Sequence, residues 1–302
     1  MTAFAEDPRA SMVEPEPGRS LGSDAWRRLR QNRLAVLGAV LLALIGFACF
    51  ALPPFLGLDP DTTDPVRQKL PPSAEHWFGT DSLGRDFLAQ VLVGGQTSLL
   101  VGLAATLASV LVGVLYGAIA GYYGGKVDDV MMRLVDFLYG VPYMFLVIII
   151  MLMFAETARG EALPVFLALG LVEWLTIARV IRGQVLTLRR REFVLAAKLL
   201  GARGPRIILV HLLPNALGVI LVYATLTVPS VIILESFLSF LGLGVKLSWG
   251  QLISEGVSVV NPIRSYWWLL VWPGSLLGLT LFSLNFVGDG LRDALDPKSR
   301  TP

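Results

Sequence analysis

Glu173 is the residue best placed to do chemistry in this chain, because it is the one acid embedded within an otherwise apolar stretch, 162–178. A carboxylate at that depth is costly unless it faces the bundle interior, water or a partner, so it has an assembly role or a role in a pathway. As a titrating group it would also suit a proton-coupled carrier. Other candidates carry less. Cys49 is the only cysteine, lies inside an apolar run and can form no internal disulfide. Gly124-Gly125-Lys126 has the ending of a phosphate-binding loop, but Ala120 stands where the first Gly is needed and Val127 replaces the magnesium-binding hydroxyl. Asp59, Asp61 and Asp64 begin like a calcium loop, yet Leu70 occupies the position of the bidentate Glu, which leaves a Pro-rich polar linker. His76 and His211 fall on opposite membrane faces, so they share no metal, and each is expected on a surface or loop. No catalytic residues or metal ligands are assigned, because an intramembrane enzyme would need a paired nucleophile and base at one depth.

The elements that hold Glu173 follow from composition. With 54% hydrophobic and 16% charged residues, the chain has lipid as its main solvent. Uncharged runs long enough to cross a bilayer occupy 34–54, 98–123, 137–155 and 265–288. Two more, 162–178 around Glu173 and 217–234 containing Pro229 and ending at Glu235, bring the expectation to six membrane helices in an all-α polytopic protein. With the N-terminus inside, nineteen of the 25 basic residues are cytoplasmic, and Arg67, Lys69, Arg85, Arg159, Lys246 and Arg264 are external. That asymmetry predicts cytoplasmic termini. The net charge of +2 then reports topology and says nothing of nucleic acid. Residues 1–23, mixed in charge and rich in Pro, read as a disordered tail rather than a signal peptide, with 34–54 a retained first helix.

Between two apolar runs lies a basic, helix-breaking segment, 182–215. Arg189, Arg190 and Arg191 precede Glu192, an acid suited to a helix N-terminus. Phe193, Ala196, Ala197 and Leu200 recur at helical spacing as one small apolar face, and Gly201 supplies a stop. Gly204-Pro205 reads as a turn with Pro at a first helical position, and after Arg206 a second short helix is expected over 207–213, closed by Pro214. Separately, Gly113, Gly117 and Gly121 recur every fourth residue, which lets another helix backbone approach closely, from this chain or from a second subunit.

Segment 182–215, with Ala196-Ala197, Gly201 and Leu213-Pro214 at their spacings, resembles the cytoplasmic coupling loop of bacterial ABC-importer permeases, although Leu195 stands where that family carries a Glu. The resemblance extends over His76-Trp-Phe-Gly-Thr-Asp-Ser-Leu-Gly-Arg-Asp86, Gly121-Tyr-Tyr-Gly-Gly-Lys-Val-Asp128, Glu235-Ser-Phe-Leu-Ser-Phe-Leu-Gly-Leu-Gly244, Ser248-Trp-Gly250 and 288–297. These blocks look like the C-type permease subunit of oligopeptide and dipeptide importers, nearest to the oligopeptide branch.

The resemblance implies a type I ABC-importer permease fold in the bacterial inner membrane. It divides the chain into a cytoplasmic tail 1–33, a first helix 34–54, an extracytoplasmic loop 55–97, a permease core 98–288 and a cytoplasmic tail 289–302. It further implies a B-type permease partner, two cytoplasmic ATPases that bind the ATP and magnesium, and an extracytoplasmic peptide-binding protein; no cofactor is expected on this chain. Glu192, Ala196, Ala197, Gly201, Arg206 and Pro214 would serve ATPase coupling. Asp81, Arg85, Asp86, Glu173 and Glu235 would serve the pathway or its gate. Dipeptide, glutathione and nickel permeases share the pattern, and a secondary carrier is the alternative from another class.

Overall fold

The computed structural model describes residues 21–153, 161–259 and 265–295. Residues 1–20, the end of the 137–155 run, and Arg9, Arg19, Arg159, Arg264, Lys298 and Arg300 of the charge asymmetry lie outside them.

Helices account for nearly all of the described chain. α1 (Leu21–Gln31) is amphipathic and leads into α2 (Arg33–Leu56), the first apolar helix. It begins inside the segment expected to be a disordered tail. At the join, the Asn32 side chain accepts the Leu34 and Ala35 amides at 3.1 and 3.2 Å, so a cap ends one helix and starts the next. α3 (Phe87–Tyr123) starts well before the expected 98, because Asp86 caps it through the Ala89 amide at 3.1 Å.

α3 packs along α6 (Ala162–Leu188), and the glycine stripe is the reason. A Cβ on Gly113, Gly117 or Gly121 would lie 2.7, 2.3 or 2.8 Å from the carbonyl oxygens of Trp174, Ala178 and Arg182. The partner of this stripe is therefore a helix of the same chain. Between them in sequence, the apolar run 137–155 is not one helix. α4 (Gly125–Gly140) and α5 (Tyr143–Met153) meet at an 86° bend, where Pro142 can supply no amide to continue the ladder.

After α6 come α7 (Glu192–Leu199), a single turn α8 (Gly204–Arg206), a π-helical turn Ile207–Leu212 and α9 (Leu213–Phe240). Pro214 closes nothing here. The wider π register precedes it, the proline occupies the first turn of α9, where no amide is required, and the helix runs on unbroken. A helix not anticipated from the sequence, α10 (Trp249–Val259), precedes α11 (Trp268–Leu295). Among the described residues five helices are long and apolar enough to cross a membrane, and counting the bent pair as one span gives six, the expected number. The lipid-suited surface is visible as exposed Leu37, Leu44 and Phe47 on α2 and Leu103, Leu107 and Leu111 on α3.

Candidate coupling surface and membrane carboxylates

α7 is a short helix held from behind. Val194 and Ala197 are buried with Ile207, Ile208 and Leu212 of the π turn and Ile181 and Val185 of α6. Because these two positions face inward, the expected apolar face of Phe193, Ala196, Ala197 and Leu200 is split. Ala197 is covered, whereas Phe193, Leu195, Ala196, Leu199 and Leu200 lie on the outside, the last two at 89% and 88% exposure. Gly201 ends the helix at φ +78, with its amide donating to Lys198 O and the Ala202 amide to Ala197 O, both at 3.0 Å. That pair of bonds is the Schellman closure, which needs a left-handed residue at this position. Glu192 sits exposed in the first turn of α7, and Arg206 and Pro214 are also exposed.

Arg189, noted in the sequence only as part of the basic run before Glu192, and Arg182 fasten this end of the molecule. Arg189 Nη1 donates to the carbonyls of Gly121 and Tyr122 at 3.1 and 3.3 Å, tying the end of α6 to the end of α3. Arg182 Nε and Nη2 donate to the two oxygens of buried Asp128 at 2.5 and 2.7 Å, joining α6 to α4. Their signal in sequence was only that of a positive inner face, which bulk charge already explained.

On the opposite side, Asp81, Arg85 and Asp86 are brought together, but as a knot. Asp81, 4% exposed, accepts the amides of Leu83 and Arg85 at 2.8 Å, Arg85 Nε at 2.6 Å and Gln90 Nε2 at 3.0 Å. His76, expected as a simple loop residue, is held by Asp86, with Nδ1 2.9 Å from Oδ2. Thr80 O accepts Trp268 Nε1 at 3.3 Å, so the knot is tied to α11. Asp59 makes a local turn, accepting the Asp61 amide at 3.0 Å and the Thr62 hydroxyl at 2.5 Å. Those two donors hold its carboxyl below the usual range.

The two acids in the membrane helices have opposite surroundings. Glu235 of α9 is fully buried and accepts Ser239 Oγ at 2.7 Å and Ser98 Oγ of α3 at 3.2 Å, with Ser236 Oγ more distant at 3.4 Å. A second layer extends the cage: Ser248 Oγ donates to Ser239 Oγ at 3.0 Å, and the Trp249 amide donates to Ser98 Oγ at 3.2 Å. The sequence did contain a sign of this cage, the Glu235–Ser239 spacing of one helical turn. Glu173 instead lines a cavity of about 330 Å³ at the α4–α5 bend, with Tyr139, Val141, Pro142, Tyr143 and Thr176 around it. It makes no hydrogen bond or ion pair with any described residue. Among the described residues there is also no cluster of side chains suited to a metal ion.

Comparison with known proteins places this architecture. Residues 113–301 match the binding-protein-dependent transport system inner membrane component, and residues 20–72 the N-terminal transmembrane domain of oligopeptide transport permease C. The chain is 49% identical to the oligopeptide transport system permease protein OppC of Escherichia coli K12, over 94% of this chain and 93% of that one. It is 45% identical to the dipeptide transport system permease protein DppC of Bacillus subtilis, over 94% of this chain and 88% of that one. The solved MetNI methionine ABC transporter, in inward-facing conformations, matches in fold with a TM-score of 0.56 at 18% identity, covering 70% of this chain and 98% of its own. Five apolar helices and a bent pair, a helical insertion between α6 and α9, and identity along nearly the whole length agree: the chain belongs to the family of inner membrane permease components of binding-protein-dependent transport systems.

Proposed function

We propose that this chain is the transmembrane permease subunit of an ATP-driven oligopeptide importer. It forms half of the translocation pathway beside a B-type permease, two cytoplasmic ATPases bind ATP and magnesium, and an extracytoplasmic binding protein delivers the peptide. The observation that carries the energy-coupling part is α7. A short helix, backed by buried Val194 and Ala197, exposes Leu195, Ala196, Leu199 and Leu200 to water between acidic Glu192 and basic Arg206. An apolar patch flanked by both charges suits a groove on a soluble partner. Rigid-body displacement of that patch then shifts the helices to which it is fastened. The peptide part rests on the relatives, whose names include oligopeptide and dipeptide systems.

The test uses vesicles containing the full complex, supplied with ATP and with the proton gradient collapsed. Sustained peptide uptake is expected; loss of uptake on collapsing the gradient while ATP remains would establish a secondary carrier instead. Both termini are assigned to the cytoplasm. In a Cys49→Ser background, cysteines placed at exposed Ser73 and Ser258 should react with an impermeant reagent added outside, and those at Ser20 and Ser299, which lie outside the described residues, should not. The reverse pattern would invert the orientation.

A further inference from the structure

The unpartnered carboxylate of Glu173 stands about midway through the membrane. From Ala162, where α6 begins, to Glu173 is about 16 Å at 1.5 Å per residue, roughly half of a ~30 Å hydrocarbon core. Two of the described donors on α4 and α6 have other engagements. The Tyr139 hydroxyl is bonded to Thr176 Oγ1 at 2.7 Å. Arg179, two turns along α6, donates through Nη2 to Asp136 Oδ1 at 2.8 Å and lies over the Tyr139 ring at 4.3 Å. An acid kept at this depth with no hydrogen-bond partner among the described residues is open to something that arrives from outside the chain.

The rest of the cavity selects the sign of that visitor. α4 ends at Gly140, where the Val141 amide closes on Leu138 O at 3.3 Å and Pro142 brings no amide to the other carbonyls of the last turn. Those carbonyls carry the negative end of the helix dipole, on the same cavity as Glu173. Tyr143 adds a ring on the same wall, and aromatic faces attract cations. Beyond shared Leu138 and Val141 lies a second cavity of about 410 Å³, lined by apolar side chains including Leu146, Ile150 and Trp174. A broken helix at mid-membrane is a recurring way of presenting free backbone groups to a passing solute.

We infer that Glu173, with the carbonyl end of α4 and Tyr143, forms a subsite for a primary ammonium group of the transported peptide, the adjoining apolar cavity receiving a neighbouring side chain. This rests on the oligopeptide reading. Both the peptide's amino terminus and a lysine side chain offer that chemistry.

Equilibrium binding of three radiolabelled peptides to the full permease–ATPase complex in lipid nanodiscs, without the binding protein, tests the subsite: tetra-alanine, N-acetyl-tetra-alanine, and N-acetyl-Ala-Ala-Lys-Ala. Wild type should bind tetra-alanine about tenfold more tightly than its acetylated form. Glu173→Gln should reduce that preference to within about twofold, by weakening only the free-amine peptide, and Glu173→Asp should retain part of it. Recovery of binding by the acetylated lysine peptide assigns the ammonium to a side chain; absence of recovery assigns it to the terminus, and both uphold the subsite. Equal binding of free and acetylated peptides by wild type overturns it, as does undetectable binding of all three at millimolar concentration or an unchanged preference in Glu173→Gln. If Glu173→Gln fails to assemble with the partner permease while Glu173→Asp matches wild type in preference, the carboxylate serves an intersubunit ion pair and the inference fails. ATP-dependent uptake of tetra-alanine by wild type, with the binding protein present, separates the two levels. Its absence refutes the oligopeptide reading; its presence without an amine preference refutes the subsite alone.

Discussion

Glu235 and Glu173 are the same side chain in two membrane helices, yet one is enclosed by serine hydroxyls from its own chain and the other opens onto a cavity and makes no hydrogen bond with any described residue. A carboxylate whose acceptor capacity is filled by neighbouring helices serves to hold those helices together. One left unfilled at comparable sequence cost is reserved for an encounter. The two acids also sit on different joints: Glu235 binds α9 to α3 and, through Ser248 and Trp249, to α10, whereas Glu173 faces the break between α4 and α5.

The contrast is most easily broken at Glu235. Glu235→Ala leaves the Ser98 and Ser239 hydroxyls without their acceptor and opens a void, and a loss of about 3 kcal/mol is expected from those two effects together. Glu173→Ala removes no internal bond and should cost within about 1 kcal/mol. Thermal unfolding of the purified complex compares them, and equal destabilisation would erase the distinction. Next in size is Gly117→Val, which forces a side chain into the Ala178 carbonyl and should cost about 1–3 kcal/mol. Because it displaces α6 and not α9, it should weaken peptide binding at Glu173 while leaving the serine cage intact. Native-state hydrogen exchange of α9 checks this, and early exchange there would show that the two regions are one unit. Smaller in stability than Gly117→Val is Gly201→Val. No atom lies within 4 Å of the added Cβ, so the cost is backbone strain of about 1–2 kcal/mol from φ +78. Peptide uptake should nonetheless fall severalfold at normal membrane insertion, and full uptake would remove the break from the coupling role.

Legibility in the sequence tracked how local each cause was. Gly201 was readable because a glycine after a helical run signals a left-handed stop by itself. The glycine stripe announced close packing, but the choice of α6 as its neighbour is tertiary and had no local trace. Apolarity marked 137–155 as membrane-embedded and was blind to its bend, since a broken span is as greasy as a straight one; Gly140-Val141-Pro142 was the available warning. Pro214 misled for the opposite reason, because the preceding π turn, invisible in residue types, lets the helix absorb it. The knot around Asp81 and the pairing of His76 with Asp86 depend on a folded loop, so in the sequence Asp81, Arg85 and Asp86 read only as pathway or gate candidates and His76 as a surface or loop residue.

The uninterrupted course from Gly204 to Phe240 makes a lever of that segment. Its 37 residues span about 55 Å, and a pivot of roughly 5° about the middle moves the two ends by about 2.4 Å in opposite directions. One end is wedged against Val194 and Ala197, and the other carries Glu235, linked through Ser98 Oγ to the Trp249 amide. A push delivered to α7 on one face of the membrane would therefore arrive, reversed, under α10 on the other.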